Sequence, residues 1–247
     1  AASATGLQSV LEEAEERGIV VVCFDTTVDS DLVYNVNTDQ FEYGRLLAQS
    51  LADRMGGEGN ILWIKGIEGN RVTLDRTEGM QSVLDNYPGI KVLGDGYGKW
   101  DDSTTASVMS NLMSAYASQG IDGILSEGGG GHAIVQSLVE NGIDPATVPI
   151  SEGEMFNSFM KDWVEMDLDA FCTAQPPYLA AAAVDVALKV LNGEEVEPMT
   201  YVDLPTCSSK EEAEEKWYQP DQEGGFVCDW TDNNNTWNLT IEDVAPN

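Results

Sequence analysis

Short β-branched runs alternate with stretches of helical spacing along most of this chain. Predicted strands cover residues 19–24, 61–65, 90–93, 121–125, 148–150 and 171–174, and predicted helices lie between them. Runs that are apolar throughout suit strands buried on both faces, as in parallel sheets covered by helices. The alternation therefore predicts an α/β fold with parallel sheets.

Polar side chains appear where several of these predicted strands end. Asp25 follows the first strand, Glu127 follows the strand at 121–125, and Glu152, Glu154 and Gln175 follow the last two. In open parallel sheets, ligands bind outside the carboxyl ends of the strands. The sequence thus predicts a small-molecule site built from the loops at this edge.

The charge of the chain narrows the class of ligand. Forty-three acidic and 12 basic residues give a formal net charge of −31. Nucleic-acid binding depends on Lys and Arg that neutralise phosphates, so this composition disfavours it. The acidic residues are spread along the chain and indicate solvated helix faces, which are also compatible with work in high salt.

The four cysteines fall into two groups. Cys23 and Cys172 lie within apolar strand patterns and are interpreted as buried small side chains. Cys207 and Cys228 flank a polar segment, where a disulfide would close a loop of about 20 residues and stabilise it by roughly 3 kcal/mol. This predicted bridge implies an oxidising compartment.

Two motifs bear on an enzymatic interpretation. The glycine-rich loop at 128–131 follows a strand and opens a helix, and with Ala133 it satisfies a dinucleotide fingerprint. Its strand would be fifth in the domain instead of first, so a loop that approaches a ligand closely is favoured. His132 is the only histidine, and no nucleophile elbow accompanies it, so no catalytic triad can be assembled.

The acidic residues leave one catalytic alternative open. Glu127, Glu152 and Glu154 could form the facing carboxylate pair of a glycoside hydrolase, whose separation the sequence does not give. A metal site is disfavoured, because the chain has neither a His/Cys cluster nor a calcium-loop pattern.

Arg76 and Trp100 are the strongest candidates for polar and stacking contacts with a ligand. Arg76 is placed near the start of a predicted helix, where a cation opposes the helix dipole, so another group must favour it there. A surface salt bridge is the alternative. Trp100 lies on a loop after a strand, where an aromatic ring can stack on a sugar or cover the edge of a core.

Taken together, these motifs resemble the ribose-type sugar-binding proteins of bacterial ABC transporters. The resemblance extends over most of the chain and rests on residues 18–25, 37–39 with Gly44, 66–69, 76–80, 121–124 and 174–177. It implies two Rossmann-like lobes with parallel sheets, joined by a three-crossover hinge that closes on a monosaccharide. The crossovers would fall near residues 37–39, 175–177 and 201–204.

The resemblance also implies a division of the chain. Residues 1–37 and 177–200 would form what is present of the N-terminal lobe, and residues 38–176 and 201–247 the C-terminal lobe with an extended tail. The first lobe is predicted to be incomplete, because one strand cannot make a core and the helix at 178–191 is apolar nearly all round. We therefore expect a further segment of the same protein before Ala1.

Matching the family motifs residue by residue gives the expected ligand contacts. These are Asp25, Arg76, Trp100 and Gln175, joined by Glu127 and Glu154 at two positions that depart from the family pattern. The family usually has Asn-Asp where this chain has Glu127-Gly128, and Gly-Phe-Asp where it has Glu152-Gly153-Glu154. The resemblance implies no catalytic residue, metal or cofactor.

The implied function is extracytoplasmic capture of a monosaccharide or polyol and its delivery to the permease of an ABC transporter. The location would be periplasmic or otherwise extracytoplasmic, with a lipoprotein anchor permitted. The alternatives are a LacI-like effector-sensing domain and a carbohydrate-active or nucleotide-dependent enzyme. The acidic charge and the predicted Cys207–Cys228 bridge weigh against the LacI-like domain.

Overall fold

The computed structural model describes residues 4–228, which divide into two compact units. One unit contains residues 4–39 and 176–203, and the other contains residues 40–175 and 204–228. The last part of the predicted tail, residues 229–247, lies outside the described residues.

From residue 40 to residue 191 the helices and strands alternate as the sequence predicts, whereas the strands at 34–37, 199–201 and 206–207 were not predicted, so the smaller unit has three strands and not one. In chain order they are α1 (Ala4–Glu16), β1 (Val22–Phe24), β2 (Tyr34–Asn37), α2 (Gln40–Arg54), β3 (Glu58–Lys65), α3 (Arg71–Leu84), β4 (Gly89–Tyr97), α4 (Asp102–Tyr116), β5 (Gly123–Ser126), α5 (Gly131–Glu140), β6 (Ile150–Gly153), α6 (Asn157–Met166), β7 (Ala170–Thr173), α7 (Leu179–Leu191), β8 (Met199–Tyr201), β9 (Thr206–Cys207) and α8 (Lys210–Glu212). The predicted α/β class with parallel sheets is confirmed.

The unit that contains the first residues is small. Its sheet has the order β1-β2-β8, all parallel, and α7 packs on β1 and β2 through a core that includes Val36, Ala182 and Val186. Strand β1 is an edge strand among the described residues, and Ile19 and Phe24 are about half exposed beside it. Burial in this unit is therefore limited mainly to one face of α7 and the centre of the sheet.

The larger unit is a doubly wound sheet with the order β4-β3-β5-β6-β7-β9, in which only β9 runs antiparallel. Helices α2 and α3 cover one face through a core that includes Leu47, Ile61 and Met80. Helices α4, α5 and α6 cover the other face, where the core includes Ile124 and Trp163. The chain leaves β3 toward β4 and then returns to β5 on the opposite side of β3, so the topological switch point lies between β3 and β5.

Helices α2 and α3 touch through their backbones at two glycines. A Cβ atom at Gly44 would collide with the carbonyl oxygen of Arg76, and one at Gly79 would collide with the carbonyl oxygen of Phe41. Only glycine permits such an approach. This contact fixes α3, and with it Arg76, against the start of α2.

The C-terminal strap, which we define as residues 219–228, caps the start of α6. The backbone N–H groups of Asn157 and Ser158 donate to the carbonyl oxygens of Phe226 and Gly224 at 2.8 and 2.9 Å. The buried Asn157 side chain donates to the carbonyls of Gln219 and Gln222 and accepts from the Gln219 N–H. The first N–H groups of α6 are thereby satisfied by the strap.

The predicted Cys207–Cys228 disulfide is not present in the structure, which holds the cysteines as thiols. The Cys207 thiol donates to the Ser209 carbonyl at 3.6 Å, and the Cys228 thiol donates to Asn157 Oδ1 at 3.4 Å. Burial raises the pKa of the Cys207 thiol to about 12, so the thiolate that disulfide exchange requires is scarce. The strap is instead held by hydrogen bonds and by burial of Cys228 in the core.

Replacing Asn157 with alanine is expected to release the strap. The change leaves two strap carbonyls and one N–H without their side-chain partner, at a cost of roughly 2–4 kcal/mol. Limited proteolysis should then cut within residues 219–228, and chemical denaturation should show the loss of stability. The control is Asn86→Ala, because Asn86 is exposed and its side chain donates to the Ser82 carbonyl in the last turn of the neighbouring α3. Parent-like protease resistance of Asn157→Ala would contradict the anchoring role.

Among residues 4–228, none of the helices combines the length and the apolar character needed to cross a bilayer.

Candidate ligand-binding site

A cavity of about 450 Å³ lies at the carboxyl ends of the strands of the larger unit. Trp100 reaches it from the loop after β4, and Glu152 and Glu154 reach it from the end of β6. Ligands of doubly wound folds bind next to the topological switch point, where neighbouring loops diverge. The other lining residues are Asp101, Asp102, Gly129, Gly131, His132, Phe156, Ser158, Phe159, Gly224 and Gly225.

Three of the predicted ligand contacts adopt the left-handed backbone conformation. Asp25, Trp100 and Glu154 have φ angles of 64°, 57° and 75°. This conformation is unfavourable for residues with a side chain, and such strain concentrates at functional sites. Lys99 and Asp167, which were not predicted as contacts, adopt it as well, so the ligand contacts stay predictions.

Arg76 lies at the centre of a hydrogen-bonded cluster and is 2% exposed. Its Nε donates to Gln40 Oε1 and its Nη1 donates to the Glu127 carbonyl, both at 2.8 Å. The guanidinium stacks on Tyr43 at 3.6 Å from the ring centroid, and Nη1 lies 3.7 Å from Glu154 Oε1. The cluster, and not a surface salt bridge, explains why a cation is placed here.

The position of Arg76 within α3 differs from the expectation. The helix begins at Arg71 with Asn70 as its N-cap, because Asn70 Oδ1 accepts from the Val72 N–H at 2.8 Å. Arg76 therefore lies in the second turn, where the dipole argument has little force.

Gln40 connects two of the predicted contacts and was missed by the sequence analysis. Its Oε1 accepts from Arg76, and its Nε2 donates to Gln175 Oε1 at 2.9 Å. Gln40 is the first residue of α2, 6% exposed, and a buried amide of this kind has no sequence pattern of its own. The chain Arg76–Gln40–Gln175 ties α3 to the segment that follows β7.

Glu127 is fully buried, and both of its carboxylate oxygens have partners. Oε2 accepts from the Gly66 N–H at 3.0 Å, and Oε1 accepts from the Thr77 hydroxyl at 2.9 Å. Burial raises the pKa of Glu127 to about 7, although these bonds and the charge of Arg76 oppose the shift. Glu127 thus joins the end of β5 to the loop after β3.

Glu152 lines the cavity and is 1% exposed. Its Oε1 accepts from the Gly130 N–H at 3.2 Å, and interactions with the Ser126 side chain and with this N–H favour the ionised form. Burial raises the pKa of Glu152 to about 8, and the charges of Glu154 and Asp102 add to the shift. At neutral pH this carboxyl is therefore largely protonated.

The glycine-rich loop packs tightly around the cavity. A Cβ atom at Gly129 would collide with the backbone of Trp100, and one at Gly131 would collide with the ring of Phe159. The N–H groups of Gly129 and Gly130 donate to the Gly153 carbonyl and to Glu152. The loop therefore needs glycine for close packing. Its N–H groups at Gly129 and Gly130 form hydrogen bonds within the protein.

His132 is paired with Asp162 and links α5 to α6. Its Nδ1 lies 2.6 Å from Asp162 Oδ2. Burial raises the pKa of Asp162, and the interaction with His132 opposes the shift. In residues 4–228 no group of three or more His, Cys, Asp or Glu side chains is arranged to hold a metal ion.

Comparison with known proteins identifies the family. A model described as "Periplasmic binding protein domain" matches residues 1–195. The chain belongs to the periplasmic binding protein domain family. The family predicted from the sequence is confirmed.

This periplasmic binding protein domain also matches a curated relative. It is 32% identical over 141 residues to a xylitol-binding protein of Mycolicibacterium smegmatis, an alignment that covers 56% of this chain and 40% of the relative. The chain therefore matches less than half of that protein's length.

Solved structures share the fold of this periplasmic binding protein domain. An ABC transporter solute-binding protein from Actinobacillus succinogenes with bound D-allose is 23% identical, with a TM-score of 0.75 and coverage of 86% of this chain and 77% of its own. The arabinose-binding component from Shewanella sp. ANA-3, bound to α- and β-L-arabinofuranose, is 24% identical, with a TM-score of 0.77 and coverage of 84% and 70%.

The periplasmic binding protein domain brings together most of the predicted contacts. Five of them belong to the larger unit, at or near the carboxyl end of its sheet: Arg76, Trp100, Glu127, Glu154 and Gln175. Asp25 belongs to the other unit, where its exposed side chain follows β1. Its contact with a ligand stays a prediction.

Three further groups of lining residues were missed or left undecided. Glu152 could be recognised from the sequence, because it lies beside Glu154 at the end of the same predicted strand. The sequence did not show which of the two side chains faces the ligand. Phe156 and Phe159 stand three residues apart at the start of α6. No sequence pattern indicated that the strap glycines Gly224 and Gly225 line the cavity.

Proposed function

We propose that this protein captures a monosaccharide or related polyol outside the cytoplasm and delivers it to the permease of an ABC transporter. The observation that carries the proposal is the grouping of Trp100 with Glu152 and Glu154 around one cavity. Carboxyl groups bond hydroxyls, and an aromatic ring packs against the apolar face of a sugar. The sugar and polyol ligands of the related proteins agree with this chemistry.

The charge around the cavity favours an uncharged ligand. Asp101, Asp102, Glu152 and Glu154 line it, and none of its described lining residues is Lys or Arg. A phosphate or carboxylate group placed here would face the acidic side chains of Asp101, Asp102 and Glu154, which is electrostatically unfavourable. The proposal therefore disfavours sugar phosphates and sugar acids, since the charge of Arg76 is already paired with Glu154 and the Glu127 carbonyl.

Binding without catalysis is favoured over glycoside hydrolysis. Hydrolysis needs one carboxyl as acid and a second as nucleophile or base. Both oxygens of Glu127 are bonded to Gly66 and Thr77, and those of Glu154 accept from the Tyr43 hydroxyl and the Gln175 N–H, so only Glu152 of the three remains for chemistry that needs two carboxyls. The proposed ligand contacts are accordingly Asp25, Arg76, Trp100, Glu154 and Gln175, with Glu152 added and Glu127 supporting the loops.

The proposal extends to the exposed edge of the smaller unit. Within the described part of the chain β1 is an open edge strand with half-exposed Ile19 and Phe24 beside it, and such an edge invites strand pairing. We propose that a further segment of the same protein pairs with β1. Native mass spectrometry of the purified protein would reveal such a segment as a second fragment or as added mass, and its absence from a stable, sugar-binding preparation would contradict the pairing.

Isothermal titration calorimetry tests the function. The probes are xylitol, L-arabinose, D-allose and D-galactose, with galactose 6-phosphate and galacturonate as anionic controls. We expect at least one neutral probe to bind in the micromolar range or more tightly and both anionic controls to bind at least a hundredfold more weakly. Absence of binding by every neutral probe, or preference for an anionic one, would contradict the proposal.

Replacing Trp100 with alanine is expected to weaken the tightest-binding neutral probe about tenfold or more. The change removes a stacking surface worth roughly 1–2 kcal/mol. Lys99→Ala is the control, because Lys99 has nearly the same φ angle, 59°, and is exposed outside the cavity. Calorimetry should separate the two variants, and equal affinities would remove Trp100 from the site.

A further inference from the structure

The C-terminal strap forms part of the cavity wall. Gly224 and Gly225 line the cavity together with Phe156 and Ser158 from the start of α6. Nothing in the sequence motifs assigns a ligand-related role to this segment.

The strap is anchored firmly enough to act as a wall. On one side of the two glycines, the Cys228 N–H donates to the Met155 carbonyl at 2.8 Å. On the other side, Gln219 exchanges hydrogen bonds with the Asn157 side chain. The Phe226 N–H donates to the Glu223 carbonyl at 3.0 Å, which closes a tight turn around Gly224 and Gly225.

Gly225 differs from the other glycines around the cavity. A Cβ atom at Gly225 would meet no atom of residues 4–228 within 4 Å, whereas one at Gly129 or Gly131 would collide with its surroundings. The backbone of Gly225 is outside the left-handed region, so a side chain is conformationally allowed there. Packing and backbone geometry therefore do not require glycine at this position.

We propose that the strap sets the size of the ligand and that Gly225 is a specificity-determining residue, because a missing side chain there leaves room for the ligand. The inference rests on the proposed function. The part of the ligand nearest the strap would lie over Gly225, between the strap and the aromatic and acidic side chains of the opposite wall. A larger residue at 225 would occupy this space and exclude the larger members of a sugar series first.

A graded series tests the proposal. Gly225→Ala, Gly225→Val and Gly225→Leu are titrated by calorimetry with five-carbon probes (xylitol and L-arabinose) and six-carbon probes (D-allose and D-galactose). We expect affinity to fall stepwise with side-chain size, by at least tenfold for the leucine variant, with six-carbon probes affected more than five-carbon probes. Thermal melting temperatures should stay within about 2 °C of the parent, because the added atoms enter open space.

The control is Glu223→Leu, which adds an apolar side chain to the strap at an exposed position outside the cavity. It should bind every probe as the parent does. Affinities within threefold of the parent across all three Gly225 variants would overturn the inference, and so would unfolding of the alanine variant. Failure of the parent to bind any probe would instead contradict the proposed function on which the inference rests.

Discussion

Replacing Arg76 with alanine is expected to lower the melting temperature by about 10 °C and to abolish sugar binding. The change removes a buried cation and leaves Gln40 Oε1 and the Glu127 carbonyl without a donor. Breaking a buried charged interaction by removal of one partner typically costs 3–5 kcal/mol. In a protein of this size that corresponds to roughly 10 °C.

Arg71→Ala is the matched control for this prediction. Arg71 lies on the same helix and pairs with Asp75 at 2.8 Å, but its side chain is 74% exposed. Such a pair contributes at most about 1 kcal/mol, so melting temperature and affinity should change little. Differential scanning calorimetry measures the melting temperatures of both variants, and sugar titration measures their affinities. A melting temperature of Arg76→Ala within 3 °C of the parent would show that the buried cluster does not stabilise the fold.

The second large effect is a loss of stability as the pH rises from about 5 to 8. The carboxyl pKa values of Glu127 and Glu152 are raised by burial from 4.5 to about 7 and about 8. Between 4.5 and these values, the folded state retains protons that the unfolded chain has released. The free energy of unfolding therefore decreases with pH across this window, by up to about 1.4 kcal/mol per pH unit for each group. The stabilisation is fully present below pH 4.5 and is lost above about pH 8.

Glu152→Gln isolates the contribution of one group. Glutamine is neutral at every pH and keeps an oxygen that can accept from the Gly130 N–H. Urea denaturation at pH 5, 6, 7, 8 and 9 should give a flatter stability profile for this variant, with the largest gain over the parent at pH 8–9. Glu140→Gln, at an exposed position, should follow the parent profile. A parent-like slope for Glu152→Gln would mean that Glu152 is ionised in the folded state throughout.

The sequence predicts those parts of the fold that depend on residue patterns within a single strand or helix. Apolar β-branched runs mark the central strands of the larger sheet because both faces of a parallel strand are buried. The residue types after those strands mark the edge where ligands bind. The prediction is weakest at the strap, since its role depends on carbonyl groups that cap a helix 62 to 69 residues earlier in the chain. Every residue carries a backbone carbonyl, so residue identity does not show which carbonyl groups cap a helix.

The same limit explains the errors in side-chain interactions. The bridge between Cys207 and Cys228 was predicted from the polar segment that they flank, but burial gives each thiol a separate carbonyl or amide oxygen as partner. Gln40 has no distinctive pattern, yet it connects Arg76 with Gln175. Polar networks of this kind depend on three-dimensional proximity between residues more than 30 positions apart.

The backbone contact between α2 and α3 has a consequence for how ligand preference can change during evolution. Gly44 and Gly79 fix the distance between the two helices through main-chain atoms. The location of Arg76 is thus independent of the side chains that line the cavity. Cavity side chains other than Glu154, which contacts the guanidinium, can be exchanged without moving the arginine, whereas a change at either glycine displaces its backbone. A lineage built on this scaffold can therefore vary the lining of the cavity while it keeps one cation in place.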